Sequence, residues 1–184
     1  MPNLQKFMPN LQKIPQLFGF GNYKVTMLFS CLLEQIEGYK EDVALDLEPE
    51  FQRGYVWTHQ QKVKYVEYIL RGGTHGRDIL FNYPGWSREI SPLEKDPILN
   101  RMVIVDGKQR LSAVMDFLND KLEVFGATFS QFEGTLRCTH YLNFHINELS
   151  TRKDILEWYL QTNDGGTVHS KEELDKVRKL LEDA

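Results

Sequence analysis

The stretch Val103-Ile104-Val105-Asp106-Gly107-Lys108-Gln109-Arg110-Leu111 constrains the fold of this chain more than any other. Three consecutive β-branched residues read as a short buried strand. Asp106-Gly107 is a turn signal. Beyond it, Leu111, Val114, Met115 and Leu118 recur at helical spacing. The pattern predicts strand, tight turn and helix, with Lys108, Gln109 and Arg110 in the first helical turn. A helix N-terminus presents free backbone N–H groups and partial positive charge, so it attracts anions. Cations at that end are slightly unfavourable for the helix itself. A lysine and an arginine there point to a bound negative group. A plainer reading stands beside it: Asp106 as a simple N-cap, with Lys108 and Arg110 solvated.

The rest of the chain sets bounds on that site. Its 184 residues suit one domain with a sizeable core. A net charge of −4 argues against a protein that coats nucleic acid, though it leaves room for a local basic patch. Cys31 and Cys138 are the only cysteines, too few for a disulfide framework or a zinc site, and they fit a reducing, cytoplasmic setting. Cys138, His140 and His145 match no zinc spacing. No apolar run approaches the roughly 18 residues that span a bilayer, and no secretory signal opens the chain.

Residues 1–14 hold a tandem heptapeptide, Met-Pro-Asn-Leu-Gln-Lys-Phe and then Met-Pro-Asn-Leu-Gln-Lys-Ile. With Pro2, Pro9 and Pro15 it predicts an extended or flexible arm over 1–18, ahead of a single domain over 19–184. A first helix is expected over Met27–Tyr39 and a short strand over Val43–Asp46. In the loop Phe51-Gln52-Arg53-Gly54-Tyr55-Val56-Trp57, Arg53 has the planar fork that clamps phosphate. Tyr55 is a base-stacking candidate, and Phe51 and Trp57 are expected in the core. Thr58 and Gln61 form a capping box for a helix to about Arg71, closed by Gly72-Gly73. Strands are expected over Asp78–Tyr83, Asn100–Val105 and Leu122–Phe125, a helix over Leu111–Asn119, a helical turn at Thr128–Phe132, and extended chain over Thr135–Ile146. Ser150 or Thr151 caps a further helix that ends at Asn163-Asp164-Gly165-Gly166. That Gly-rich turn reads either as a phosphate nest or as an ordinary helix end. A Ser170/Glu173 capping box opens the last helix.

Three motifs therefore stand in order: Phe51-Gln52-Arg53 with Val56-Trp57, Asp106-Gly107-Lys108-Gln109-Arg110-Leu111, and Asn163 with Gly165-Gly166. Together they resemble the N-terminal domain family of GmrSD-type, modification-dependent restriction systems. The resemblance implies an α+β fold similar to the ParB N-terminal domain and sulfiredoxin, with a small mixed sheet surrounded by helices. It implies nucleotide binding, with the family's Asp-Gly-Gln-Gln-Arg segment at the phosphates and linked to NTP hydrolysis. Asp106, Gly107, Gln109 and Arg110 match that segment, and Lys108 replaces its first Gln. On this reading Asp106, Gln109 and Arg110 are the catalytic candidates. Gln52, Arg53, Gly107, Lys108, Arg110, Asn163 and Gly165 hold the nucleotide, and Asp106 meets Mg²⁺. The likeness to short phage-encoded members implies a phage source and the host cytoplasm.

Full-length restriction members continue into an HNH-type nuclease domain, for which this sequence has no segment. The resemblance thus favours nucleotide binding over DNA cleavage. Three functions follow as expectations. The first is an NTP-binding protein, extending to slow hydrolysis, linked to DNA metabolism or to host defence and anti-defence. The second is a ParB-like DNA nuclease using Asp106 and Glu50 with a divalent metal. The third is a non-enzymatic phage protein that binds a host complex. The N-terminal arm offers a means of exchange in a homodimer.

Overall fold

A computed structural model describes residues 21–87, 95–163 and 171–183. It is a mixed α+β domain of four strands and five helices. The strands are β1 (Tyr23–Leu28), β2 (Asp78–Asn82), β3 (Val103–Asp106) and β4 (Tyr141–Asn147). The helices are α1 (Phe29–Val43), α2 (His59–Leu70), α3 (Lys108–Leu118), α4 (Arg152–Asn163) and α5 (Lys171–Glu182). The sheet order is β1-β4-β2-β3. β4 runs antiparallel to β1 and parallel to β2, and β3 runs antiparallel to β2.

Alternation along the strands divides the core in two. Ile79 and Phe81 of β2, Ile104 of β3, and Leu142, Phe144 and Ile146 of β4 share one hydrophobic cluster with α1, α2 and α3. Leu80, Val103 and Val105 belong to the other, with Ile155, Leu156, Trp158 and Tyr159 of α4 and Val177 of α5. α1 packs through Phe29, Leu32, Ile36 and Tyr39, all buried and at helical spacing. Leu111, Val114, Phe117 and Leu118 do the same for α3.

Several sequence expectations change. Met27 and Leu28 close a strand rather than open a helix, because Tyr23–Leu28 pairs residue for residue with β4 and Leu28 keeps an extended backbone. α1 runs on through Val43 and stops at Ala44, which adopts a left-handed conformation and donates its N–H to nothing less local than the helix's own Tyr39 carbonyl. Of the strand expected over Val43–Asp46, only a parallel bridge from Asp46 to Val103 forms. The strand expected over Leu122–Phe125 is a single bridge, Val124 to Ala127, around a turn in which Phe125 and Gly126 both have positive φ. The arm over 1–18, Gly165-Gly166 and the Ser170 cap lie outside the described residues.

The capping box of α2 is present. Thr58 Oγ1 accepts from the Gln61 amide at 3.3 Å, and Gln61 Oε1 accepts from the Thr58 amide at 2.8 Å. Thr58→Ala is expected to lower stability by about 1 kcal/mol. Urea unfolding, read as a lower midpoint at unchanged slope, checks it.

Candidate functional site

The turn between β3 and α3 is built on glycine. Gly107 is the N-cap of α3 and has φ 93°. A Cβ on it would lie 2.7 Å from Ile79 Cδ1 and 3.1 Å from Ile79 Cα. The turn therefore lies directly against β2, where no other residue fits. Asp106 is the last residue of β3, so it is not the N-cap, and among the described residues no side chain caps the first turn of α3. α2, in contrast, is fully capped by Thr58 and Gln61. The N-cap of α3 thus offers no acceptor of its own to the opening amides.

Polar groups stand on both flanks of this turn. Arg110 Nη2 donates to Asp106 Oδ2 at 2.6 Å and to the Asp78 carbonyl at 2.9 Å. Arg110 Nε is buried with no acceptor, the only buried side-chain polar atom so left among the described residues. Asp78 Oδ1 accepts from Asn143 Nδ2 at 3.2 Å and lies 2.7 Å from His145 Nε2. The ends of β2 and β3 and the middle of β4 thus bring polar groups to one corner. On the other flank the Lys108 side chain is only 5% exposed. Its ammonium donates to the Arg53 carbonyl at 3.1 Å and to Glu48 Oε1 at 3.3 Å, and sits 4.3 Å from the centre of the Tyr55 ring. It is not a solvated surface residue.

The two glutamines hold the scaffold. Gln52 Nε2 donates to the carbonyls of Ile104 at 3.1 Å and Val105 at 2.8 Å. Gln109 Oε1 accepts from the amides of Val56 at 3.1 Å and Trp57 at 3.2 Å, while its Nε2 donates to the Gly54 carbonyl at 2.9 Å. The motif glutamine therefore ties the 52–57 loop to α3. Phe51 is buried against Tyr159 and Trp57 packs on Tyr65, as expected of core aromatics. Tyr55 is 51% exposed.

A cavity of about 420 Å³ opens beside α3, lined by Leu47, Tyr55, Lys62, Lys108, Ser112 and Asp116 among others. Lys62 Nζ bonds Asp116 Oδ2 at 2.6 Å and Ser112 Oγ at 3.4 Å, and stands 5.8 Å from the Tyr55 ring centre. Partial burial, with the Glu48 carboxylate nearby, raises the Tyr55 phenol above its usual range, so it stays protonated.

The sequence candidates fall into groups. Asp106 and Arg110 are paired at the β2 side of α3. Lys108, Tyr55 and the Arg53 backbone meet at the cavity side. The Arg53 guanidinium makes no hydrogen bond or ion pair among the described residues, and the two arginines share no partner. Asn163 closes α4; its side chain and Gly165 lie outside what is described. Lys62, Asp116 and Asp78 are no site candidates in the sequence, and Asn143 and His145 carry no nucleotide-site signal there although both join Asp78. They sit on elements far apart in the chain, and no local pattern pairs Lys62 with a carboxylate 54 residues away. Among the described residues no group of three His, Cys, Asp or Glu can hold a metal ion, Cys138, His140 and His145 included.

Fold and site together define a small α+β domain organised around an uncapped helix terminus with a cation on each flank. The chain belongs to the family of the GmrSD restriction endonuclease N-terminal domain, whose model matches residues 32–182, and is therefore related to restriction systems. No curated protein and no solved structure matches it. No helix among the described residues is long and apolar enough to cross a membrane.

Proposed function

We propose that this domain binds a nucleoside triphosphate, with the phosphates at the N-terminus of α3, and hydrolyses it slowly. The observation that carries the reading is the glycine-built, uncapped first turn of α3 with Arg110 on one flank and Lys108 on the other. Such a terminus supplies amide donors and positive potential to a phosphate. Arg110 adds a planar fork and a donor, Nε, that no group among the described residues accepts. Arg53, whose guanidinium has no described partner, is free to turn to the same group.

Mg²⁺ bound with phosphates keeps several waters and takes one or two carboxylates. Asp106 is the carboxylate that fits this demand at the turn. Its Oδ2 is occupied by Arg110, which leaves Oδ1 for an ion carried in by the nucleotide. Such an ion would supply charge neutralisation at the phosphates. Gln109 serves by position: its amide fixes the 54–57 loop beside the terminus.

A nuclease reading has less support. Glu50 lines a cavity with Asp46, Asp96 and Arg152 that does not include Asp106, which pairs with Arg110 instead.

Titration calorimetry with the Mg²⁺ complexes of ATP, GTP, CTP and UTP tests the proposal. The native chain is expected to bind at least one. Arg110→Ala is expected to weaken that binding at least tenfold, since charged hydrogen bonds contribute about 1.5–3 kcal/mol each. No heat with any of the four would refute it.

A further inference from the structure

The cavity beside α3 has a floor and a rim of different character. Leu47, Ile104, Leu111 and Met115 supply apolar surface, while Lys62, Ser112 and Asp116 supply donors and acceptors. Tyr55 stands at its edge as the half-exposed aromatic. Concave, mostly apolar sites with a few convergent polar groups are the usual form of small-molecule pockets, and about 420 Å³ falls within their size range.

Position ties this cavity to the phosphate site. Lys108 belongs both to the first turn of α3 and to the cavity wall. Asp116 lies eight residues further along the same helix, about 12 Å at 1.5 Å per residue. One ligand lying along α3 would place its anionic end at the terminus and its other end between Tyr55 and the Lys62–Asp116 pair. An aromatic face takes any base by stacking. A carboxylate beside an ammonium presents one acceptor and one donor group, the pairing that a base edge satisfies.

We infer that the cavity lined by Tyr55, Lys62, Ser112 and Asp116 is the nucleoside subsite of the domain, with Tyr55 stacking on the base and the Lys62–Asp116 pair reading its edge. The inference rests on the phosphate reading above. It assigns roles to Lys62 and Asp116, neither of which belongs to the sequence motifs.

Calorimetry with two probes separates the two ideas. One probe is the tightest-binding Mg²⁺–nucleoside triphosphate, and the other is Mg²⁺–tripolyphosphate, which has no nucleoside. Tyr55→Ala is expected to weaken the nucleotide about tenfold or more and to change tripolyphosphate affinity less than twofold. Tyr55→Phe keeps the ring and is expected to retain nucleotide binding. Asp116→Asn is expected to alter the rank order of the four nucleotides while leaving tripolyphosphate unchanged. Arg110→Ala weakens both probes if the phosphates lie at α3. Tyr55 is half-exposed, so its removal spares the core, and a thermal melt of each variant verifies the fold. A native chain that binds nucleotide and tripolyphosphate equally, with Tyr55→Ala silent on both, overturns the subsite and leaves the phosphate site standing. A native chain that binds neither probe overturns both.

Discussion

Replacing Gly107 with alanine is expected to cost about 2–5 kcal/mol of stability, the sum of a left-handed backbone and an overpacked contact. Gly107 has φ 93°, where an L side chain is strained. The added Cβ would also meet Ile79 at 2.7 Å for Cδ1 and 3.1 Å for Cα. The Ile79 side chain is fully buried, so it cannot swing aside into solvent, and the Cα belongs to β2 itself. The terminus of α3 would have to move off the sheet. Urea unfolding measures the loss, and calorimetry on the surviving folded fraction reads the phosphate site. Stability within about 1 kcal/mol of the native chain would mean that the turn is not packed as described.

The second large effect belongs to Gln109. Gln109→Leu keeps the bulk of the side chain and removes three hydrogen bonds to the 54–57 backbone. Leaving polar groups without partners costs about 1–3 kcal/mol for each that stays dry. Val56 is exposed, so its amide regains water. Gly54 is exposed as well, so the Trp57 amide is the group that stays dry, and the expected loss is about 1–3 kcal/mol, with faster proteolysis in the 54–57 loop as the local signature. Gln109→Glu distinguishes the roles. It keeps the acceptor for Val56 and Trp57 but loses the donor to Gly54, so it is expected to fall between the native chain and the leucine variant. A chemical role for Gln109 would instead show as lost turnover with stability intact.

Local patterns were legible where one element decides its own form. The Thr58/Gln61 box, the Asp106-Gly107 turn and the apolar stripe of α3 depend on neighbours within a few residues, and each was readable from the chain. β1 was not. Val25 and Met27 alternate over too short a run, and what makes Tyr23–Leu28 a strand is the long-range ladder with β4. The false strand at Leu122–Phe125 arises in the same way: apolar residues with strand propensity, but no partner in the sheet. At the site, residue types were readable but not their directions. Lys108 reads in the sequence as a phosphate-binding cation or, more plainly, a solvated one, yet its ammonium is buried against Glu48, Arg53 and Tyr55. Gln52 reads in the sequence as a nucleotide-binding group and Gln109 as a catalytic candidate, yet their amides answer backbone groups of their own domain. Such partners lie about fifty residues away, beyond the reach of any local spacing.

The outer margin of β3 has one more outcome. Asp46 exchanges backbone bonds with Met102 and Ile104 there, and the Gln52 amide covers the carbonyls of Ile104 and Val105. A side chain thus stands where a fifth strand would dock. Unanswered strand margins invite other molecules to stack and aggregate. Within the described sheet that liability is confined to β1, where Lys24 stands exposed as a charged deterrent. Gln52 is in this sense a guard against self-association, and a Gln52→Ala chain should cloud on warming sooner than its parent.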